Sequence, residues 1–294
     1  MTRAAGVDVG GTKCLGVVID TDHDVTSERD VIRMVRHATP HASKLVDTLE
    51  ALLGELGESE TVGIGVPGLI TLDGVMRASP NIAGSVDVDV RSDLSRRLGR
   101  RVHVDNDGNL AALAEWRYGA ARGARNMWMV TLGTGIGGGH VVNGVVQRGA
   151  NGFVGEIGHM VVNPDGPLCT CGRNGCWEVY ASGRGLKMLA AGEPGETVIE
   201  RARRGDSDAV TVVDSFARWV AIGLSNLTNI SDPDVIVIGG GVSGNADVVL
   251  PMIRRWFAES LYSPEQRTHP EIRTAQLGEL AGSIGAALLP VSGD

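Results

Sequence analysis

No apolar run in this chain approaches the roughly 18 residues needed to cross a bilayer, and none follows Met1-Thr2-Arg3 as the core of an export signal. Both absences read as a cytoplasmic protein with no membrane partner. Excess positive charge is missing too: 27 Lys and Arg against 35 Asp and Glu leave a formal net charge of −8. A nucleic-acid backbone asks for clustered cations, and the one locally basic stretch, Arg91 to Arg101, reads as a solvated helix face, so no nucleic-acid partner is expected. Cysteine is scarce, four residues in 294, yet three of them fall between Gly158 and Glu178.

At 43% hydrophobic and 21% charged, the chain can bury the cores of two medium-sized domains. "AAGVDVGGTKCLGVVID" reads as two strands joined at Gly10-Gly11, a turn that glycine enters at low cost. Leu45, Leu49, Leu52 and Leu56 follow at helical spacing, "TVGIGVPG" returns to strand, and "RVHVD" leads into a helix with Leu110, Leu113 and Trp116 on one face. Asn106 and Asp107 therefore fall at a strand end beside a helix N-terminus. After Gly123 the pattern restarts: "NMWMVTL", a glycine-rich turn and "GHVVNGVV" predict a second hairpin, which suggests an internal duplication. A long buried helix over "SDAVTVVDSFARWVAIGLSNLTNI", a buried strand over "DVIVIGG", a helix over "NADVVLPMIRRWFAESL" and a short closing helix complete an α/β chain. No linker marks a boundary. The pattern divides into an N-terminal α/β domain at 1–118, completed by a C-terminal helix at 280–294, and a larger α/β domain at 119–279.

Gly63 to Gly68 and Gly133 to Gly138 both satisfy Gly-x-Gly-x-x-Gly, but neither turns from a strand into a helix as a dinucleotide site requires. Gly11-Thr12-Lys13 lacks the Gly-Lys-Ser/Thr order of a P-loop. What remains are turns whose backbone N–H groups and threonine hydroxyls can face phosphate oxygens. They are Gly10, Gly11, Thr12 and Lys13 in the first hairpin, Thr131, Gly133, Thr134 and Gly135 in the second, and Gly240 and Gly241, where a buried strand breaks before a helix. Asp8, at the lip of the first turn, is placed to hold Mg²⁺ directly or through water. Each turn taken singly is also a plain β-turn; the set points to a nucleotide.

His159, Cys169, Cys171 and Cys176, in the segment 159–176, supply one nitrogen and three sulfurs, a set that suits tetrahedral Zn²⁺. Three clustered cysteines make a poor disulfide framework in a reducing compartment. With all four positions taken by protein the ion would be structural, tying the "GEIGHM" turn to the "CWEVYASG" helix and holding Glu156 and Glu178 beside one pocket. A nucleic-acid-binding zinc finger would need a basic recognition helix nearby, which the segment lacks. Cys14, in an apolar strand, reads as a small buried hydrophobe.

The order "DVGGTK", "GIGVPG", "VDNDGNLAALAE", "TLGTGIGGG", "GEIGHM", "CTCGRNGCWEVYASG" and "VIGGGVS" resembles the ROK family of sugar kinases and repressors, its bacterial ATP-dependent glucokinases above all. The likeness runs from Gly6 to Gly285. It implies the actin-like ATPase (ribonuclease H-like) fold, two α/β domains flanking a cleft that takes sugar and ATP, and a homodimer or homotetramer. The cysteine segment sides with ATP, rather than polyphosphate, as donor. Repressors of the family carry a helix-turn-helix ahead of the "DVGGT" turn, where this chain has only five residues before Gly6; a noncatalytic sugar sensor would be expected to lack Asp107.

Phosphoryl transfer to an alcohol needs an aligned hydroxyl, a proton acceptor and compensation of phosphate charge. By itself Asp107 reads as either a helix cap or a proton acceptor, and its place at a helix N-terminus predicts that it stays ionised. The resemblance implies the acceptor role, with Asn106 binding the sugar and Gly68, Asn81, Glu156, His159 and Glu178 as further sugar contacts. If His159 gives one ring nitrogen to zinc, the other can meet a hydroxyl. Many glucokinases of the family continue Pro-Asn with Gly-Trp, whereas this chain has Ser85 where the tryptophan would fall. The expected reaction is transfer to the 6-hydroxyl of glucose, with N-acetylglucosamine, N-acetylmannosamine, mannose or fructose as the alternative substrates.

Overall fold

The computed structural model describes residues 2–291, so residues 292–294 of the expected closing helix lie outside the described residues. The chain runs through strands β1 (Arg3–Val9), β2 (Lys13–Asp20) and β3 (Arg33–Ala38) to helix α1 (Leu45–Leu56). Next come β4 (Thr61–Val66), β5 (Leu69–Ile70), β6 (Val75–Ala78), β7 (Val86–Asp89), α2 (Val90–Leu98), β8 (His103–Asn106) and α3 (Asp107–Arg117). Beyond them lie β9 (Asn126–Leu132), β10 (Ile136–Val142), β11 (Val145–Val146), α4 (Glu178–Ala181), α5 (Gly183–Leu189), α6 (Gly195–Arg203) and α7 (Ser207–Ser231). The chain closes with β12 (Val235–Gly239), α8 (Ala246–Ser260), β13 (Glu271–Thr274) and α9 (Ala281–Leu288).

One five-stranded sheet has the order β3-β2-β1-β4-β8 and another β11-β10-β9-β12-β13; β5-β6-β7 form a small third. The first two share one plan. A hairpin-type edge leads to a first strand, β1 or β9, and two parallel strands follow, β4 and β8 in one case, β12 and β13 in the other. That repetition is what the duplicated sequence pattern anticipated. Parallel strands joined by helices are covered on both faces, so β4 and β12 read as continuous apolar runs and are buried along nearly their whole length.

The chain divides into two compact units, one of residues 1–123, 139–155 and 276–294, the other of 124–138 and 156–275. The segment 139–155, read from the sequence as part of a domain at 119–279, thus clusters with the first unit. The expected strand "GHVVNGVV" is also broken: Asn143 (φ 51°) and Gly144 (φ 83°) turn the chain between β10 and β11. Asn-Gly is the pair such a two-residue hairpin favours, because both central residues need positive φ.

In the first unit, α1 buries Leu45, Leu49, Leu52 and Leu56 against the sheet. Helix α9 lies on β1 and β4, and every one of its residues is buried. The approach is backbone to backbone: a Cβ on Gly6 would collide with the carbonyl oxygen of Ser283, and one on Gly63 with that of Ala286. Two glycines in the strands and a helix with Ala, Gly or Ser at six of its eight positions are what allow it. In the second unit, Trp177 is fully buried and its Nε1 donates to the carbonyl of Trp219 in α7 at 2.8 Å, while Tyr180 stacks on Trp219 at 4.0 Å. These contacts fasten the cysteine segment to the longest helix.

Candidate active site

Strand β8 ends where α3 begins, and Asn106 is the cap: its Oδ1 accepts from the N–H of Gly108 at 2.8 Å and of Asn109 at 3.3 Å. Its Nδ2 donates to the carbonyl of Gly68 at 3.1 Å. That leaves the Asn106 side chain one N–H to offer a ligand. Asp107 is the first residue of the helix, and its Oδ1 accepts from the N–H of Gly108 at 2.9 Å. Burial nevertheless raises its pKa, outweighing the backbone hydrogen bonds that lower it. Desolvation thus works against the helix terminus, whose partial charge of about half a unit favours the ionised carboxylate.

Beneath this corner lies a buried network absent from the sequence reading. Asp105 accepts from Nδ2 of Asn109 at 2.9 Å, and its other oxygen pairs with Nε of Arg148 at 2.7 Å, the two side chains only 5% and 18% exposed. Arg148 belongs to the segment 139–155, whose return to the first unit no local pattern signals.

The first hairpin pairs Val9 with Cys14 and closes with the N–H of Gly10 donating to the carbonyl of Lys13 at 2.8 Å. Neither Gly10 nor Gly11 has positive φ, so the reason given for glycine from sequence is corrected. What the glycines provide is an open backbone, with Gly11, Thr12 and Lys13 exposed. Lys13 pairs with Glu279, which also holds Arg36 at 2.7 Å. Gly11 sits beside Asn81: a Cβ there would lie 3.7 Å from that of Asn81.

Asp8 is more deeply set than a residue at the lip of a turn. Its Oδ1 is buried without a hydrogen-bond partner, and a Cβ on Gly282 of α9 would lie 2.5 Å from its carboxylate. Burial, then the charge of Asp107, push its pKa up to about 7 against the opposing pull of Lys13. A carboxylate with one oxygen buried and unpartnered, and a second carboxylate near it, is a donor set suited to a hard divalent cation such as Mg²⁺.

The Asn81 loop is closed by the residue that departs from the glucokinase pattern. Ser85 is buried; its Oγ donates to the carbonyl of Ser79 at 2.8 Å and accepts from the N–H of Ser79 at 3.0 Å. Ser79 Oγ in turn accepts from the N–H of Asn81 at 3.3 Å.

In the second unit, the turn after β9 is fixed by the N–H of Gly133 on the carbonyl of Gly135 at 3.0 Å and by the N–H of Gly137 on Oγ1 of Thr131 at 3.2 Å. Gly183 N–H donates to the carbonyl of Gly133 at 2.7 Å, and Arg184 Nε to the carbonyl of Thr134 at 2.9 Å. Gly240, at φ 82°, turns the chain out of β12, and Gly241 is exposed beside it. Arg184 was not singled out by sequence; the glycine pattern that revealed the turn says nothing of the helix that holds it.

The ligand atoms of His159, Cys169, Cys171 and Cys176 all lie within 4.8 Å of one another. Cys171 and Cys176 have their sulfurs 3.5 Å apart, and Cys169 Sγ is 3.7 Å from His159 Nδ1. A tetrahedron with Zn–S near 2.3 Å has edges of about 3.8 Å, so the donors fit the ion. Burial raises the pKa of Cys176 to about 12, so thiolate there needs a cation beside it. His159 turns Nε2 toward Glu156 at 3.9 Å and Nδ1 toward Glu178 at 3.9 Å, and so sits between two carboxylates expected as sugar contacts. Cys169 donates to Oε1 of Glu178 at 3.1 Å.

Two α/β units of one plan, each with a glycine-rich turn after its first strand, define the class. The chain belongs to the ROK family, which it matches over residues 4–292. A glucokinase of Streptomyces coelicolor is 35% identical across 98% of this chain and 97% of its own length. An N-acetyl-D-glucosamine kinase of Vibrio cholerae is 35% identical across 97% and 99%. Among solved structures, a ROK family glucokinase of Streptomyces griseus in complex with glucose and AMPPNP superposes with a TM-score of 0.84, at 37% identity and 98% coverage of both chains. The fold is the actin-like ATPase fold. Among the described residues no helix is long and apolar enough to cross a membrane.

Proposed function

We propose that the protein is an ATP- and Mg²⁺-dependent glucokinase, with structural zinc, that works in the cytoplasm as a homodimer or homotetramer. The observation that carries the reading is the likeness, over 98% of both chains, to a glucokinase structure holding glucose and AMPPNP. In the reaction the sugar's 6-hydroxyl oxygen bonds to the γ-phosphorus as the bond from that phosphorus to the β,γ-bridging oxygen breaks, and ADP leaves. The hydroxyl proton passes to a carboxylate oxygen of Asp107. Its upward-shifted pKa makes it the stronger base for that task. Asn81, Asn106, Glu156, His159 and Glu178 would hold the sugar hydroxyls, with Gly68 fixing Asn106 by its carbonyl. Gly10 to Lys13, Thr131 to Gly135, and Gly240 with Gly241 would face the nucleotide. Asp8 would hold Mg²⁺, which offsets phosphate charge when bound. His159, Cys169, Cys171 and Cys176 would hold zinc.

The second reading, an N-acetylglucosamine kinase, draws on the equal identity to the Vibrio cholerae enzyme. A coupled ADP-release assay with ATP and Mg²⁺ across glucose, mannose, fructose, N-acetylglucosamine and N-acetylmannosamine separates the two. Preference for glucose supports the first reading, preference for N-acetylglucosamine replaces it, and no turnover with any sugar removes the kinase assignment.

A further inference from the structure

We infer that Arg184 is a positioning residue that couples sugar binding at Glu178 to nucleotide binding at the turn from Thr131 to Gly135. The inference rests on the kinase reading and concerns contacts wholly inside the second unit. Arg184 is the second residue of α5, half exposed at 51%, and its guanidinium faces two ways. Nε donates to the carbonyl of Thr134 at 2.9 Å, while a terminal nitrogen stands 3.7 Å from Oε1 of Glu178. Its planar fork of donors is suited to hold a backbone carbonyl and a carboxylate at once.

Two further contacts make the link mechanical. Helix α5 begins with the N–H of Gly183 on the carbonyl of Gly133 at 2.7 Å, so the turn and the helix start are joined by two hydrogen bonds, one of which is the arginine. Gly135 lies directly over Glu178: a Cβ there would come 2.6 Å from Oε2 and 3.7 Å from the Arg184 guanidinium. Glu178 is 7% exposed, so it has little room to shift without displacing a neighbour. A sugar hydroxyl that draws on the Glu178 carboxylate changes its pull on Arg184, and the arginine transmits that change to the carbonyl of Thr134. The orientation of the turn's N–H groups toward phosphate then depends on whether the sugar is bound.

Linkage makes the effect reciprocal, with coupling factors in proteins of roughly 5- to 150-fold. The test is isothermal titration of the zinc-loaded protein with Mg²⁺–AMPPNP, with and without saturating glucose, and of glucose with and without AMPPNP. For the wild type each ligand should tighten the other by the same factor, at least about fivefold. Arg184→Ala should bring both ratios close to one while glucose alone still binds. Arg184→Lys should fall between, because an ammonium reaches one partner at a time. If Arg184→Ala does not fold, Arg184→Gln, which keeps a donor for Thr134 and drops the charge, carries the same expectation as alanine. A wild-type ratio near one, or wild-type coupling in the variants, overturns the inference. ADP release with glucose but without coupling sinks this inference alone; coupled binding without ADP release sinks the kinase reading alone. Failure of both ligands to bind sinks both.

Discussion

The thiol of Cys169 lies 3.1 Å from the carboxylate of Glu178, so the proposed zinc site and the proposed sugar site share a wall. Cys169 as a zinc thiolate could not donate to Glu178, and that carboxylate would be released to accept from a sugar hydroxyl. Replacing Glu178 with Ala is expected to raise the KM for glucose at least tenfold, about 1.4 kcal/mol. The readout is steady-state kinetics at saturating ATP; an unchanged KM removes Glu178 from the pocket.

Freshly purified protein should hold about one zinc per chain by elemental analysis. Chelation, or Cys176→Ser, should lower Tm by about 5 °C or more, because 1 kcal/mol moves Tm by roughly 2–4 °C in a domain of this size. Turnover should fall with it. Metal-free protein of full activity would count against the site.

Asp107→Asn should reduce turnover by about 10²- to 10⁴-fold, the usual share of a general base. Calorimetry should still record glucose binding, since the Asn106 cap and the Asp105–Arg148 pair beneath it do not depend on the Asp107 charge. Near-normal turnover would take the proton-acceptor role from this residue.

Asp8 ties activity to stability. Its carboxyl titrates from 3.8 in the unfolded chain to about 7 in the folded one. Between those values the folded state binds the extra proton, so stability falls as pH rises through the window and the full cost is present above it. Asp8→Asn removes that cost. The variant should be more stable than the wild type at pH 8, by up to about 4 kcal/mol at 1.4 kcal/mol per pKa unit, with the advantage shrinking toward pH 4. The same substitution should abolish turnover. Thermal melts across pH settle the sign: a variant less stable at pH 8 would show that the carboxylate is not carrying a desolvation cost.

Ser85→Ala would leave the N–H and carbonyl of Ser79 without their shared partner, a loss of about 1–3 kcal/mol. Because Ser79 also accepts from Asn81, the KM for sugar should rise several-fold while kcat stays within about twofold. A matched loss of kcat would mean that the loop acts on the transition state instead.

The sequence was legible where its signals are local. The Gly10-Gly11 hairpin, the helix over 207–231, the strand-to-helix corner at Asn106-Asp107 and the metal-ligand spacing of His159, Cys169, Cys171 and Cys176 each depend on neighbours a few residues away, although the cap at that corner is Asn106 and not Asp107. What it hid depends on distant partners. Arg148 reaching Asp105, Arg184 reaching Thr134, and α9 filling the space over Gly6 and Gly63 join residues that no periodicity relates. The upward pull on the pKa of Asp107 was hidden for the same reason: a helix terminus can be read from sequence, whereas the depth of burial depends on everything packed around it. Asn143-Gly144 was different, a legible turn signal passed over because the flanking valines read as one strand.

Helix α9 also sets an order of events during synthesis. Every residue of the second unit has been made by Ala275, while β1 and β4 still await the eight residues that cover them. The unit that begins the chain therefore cannot complete its native packing until its last helix is made, and until then the faces of β1 and β4 that α9 covers lack their native partner.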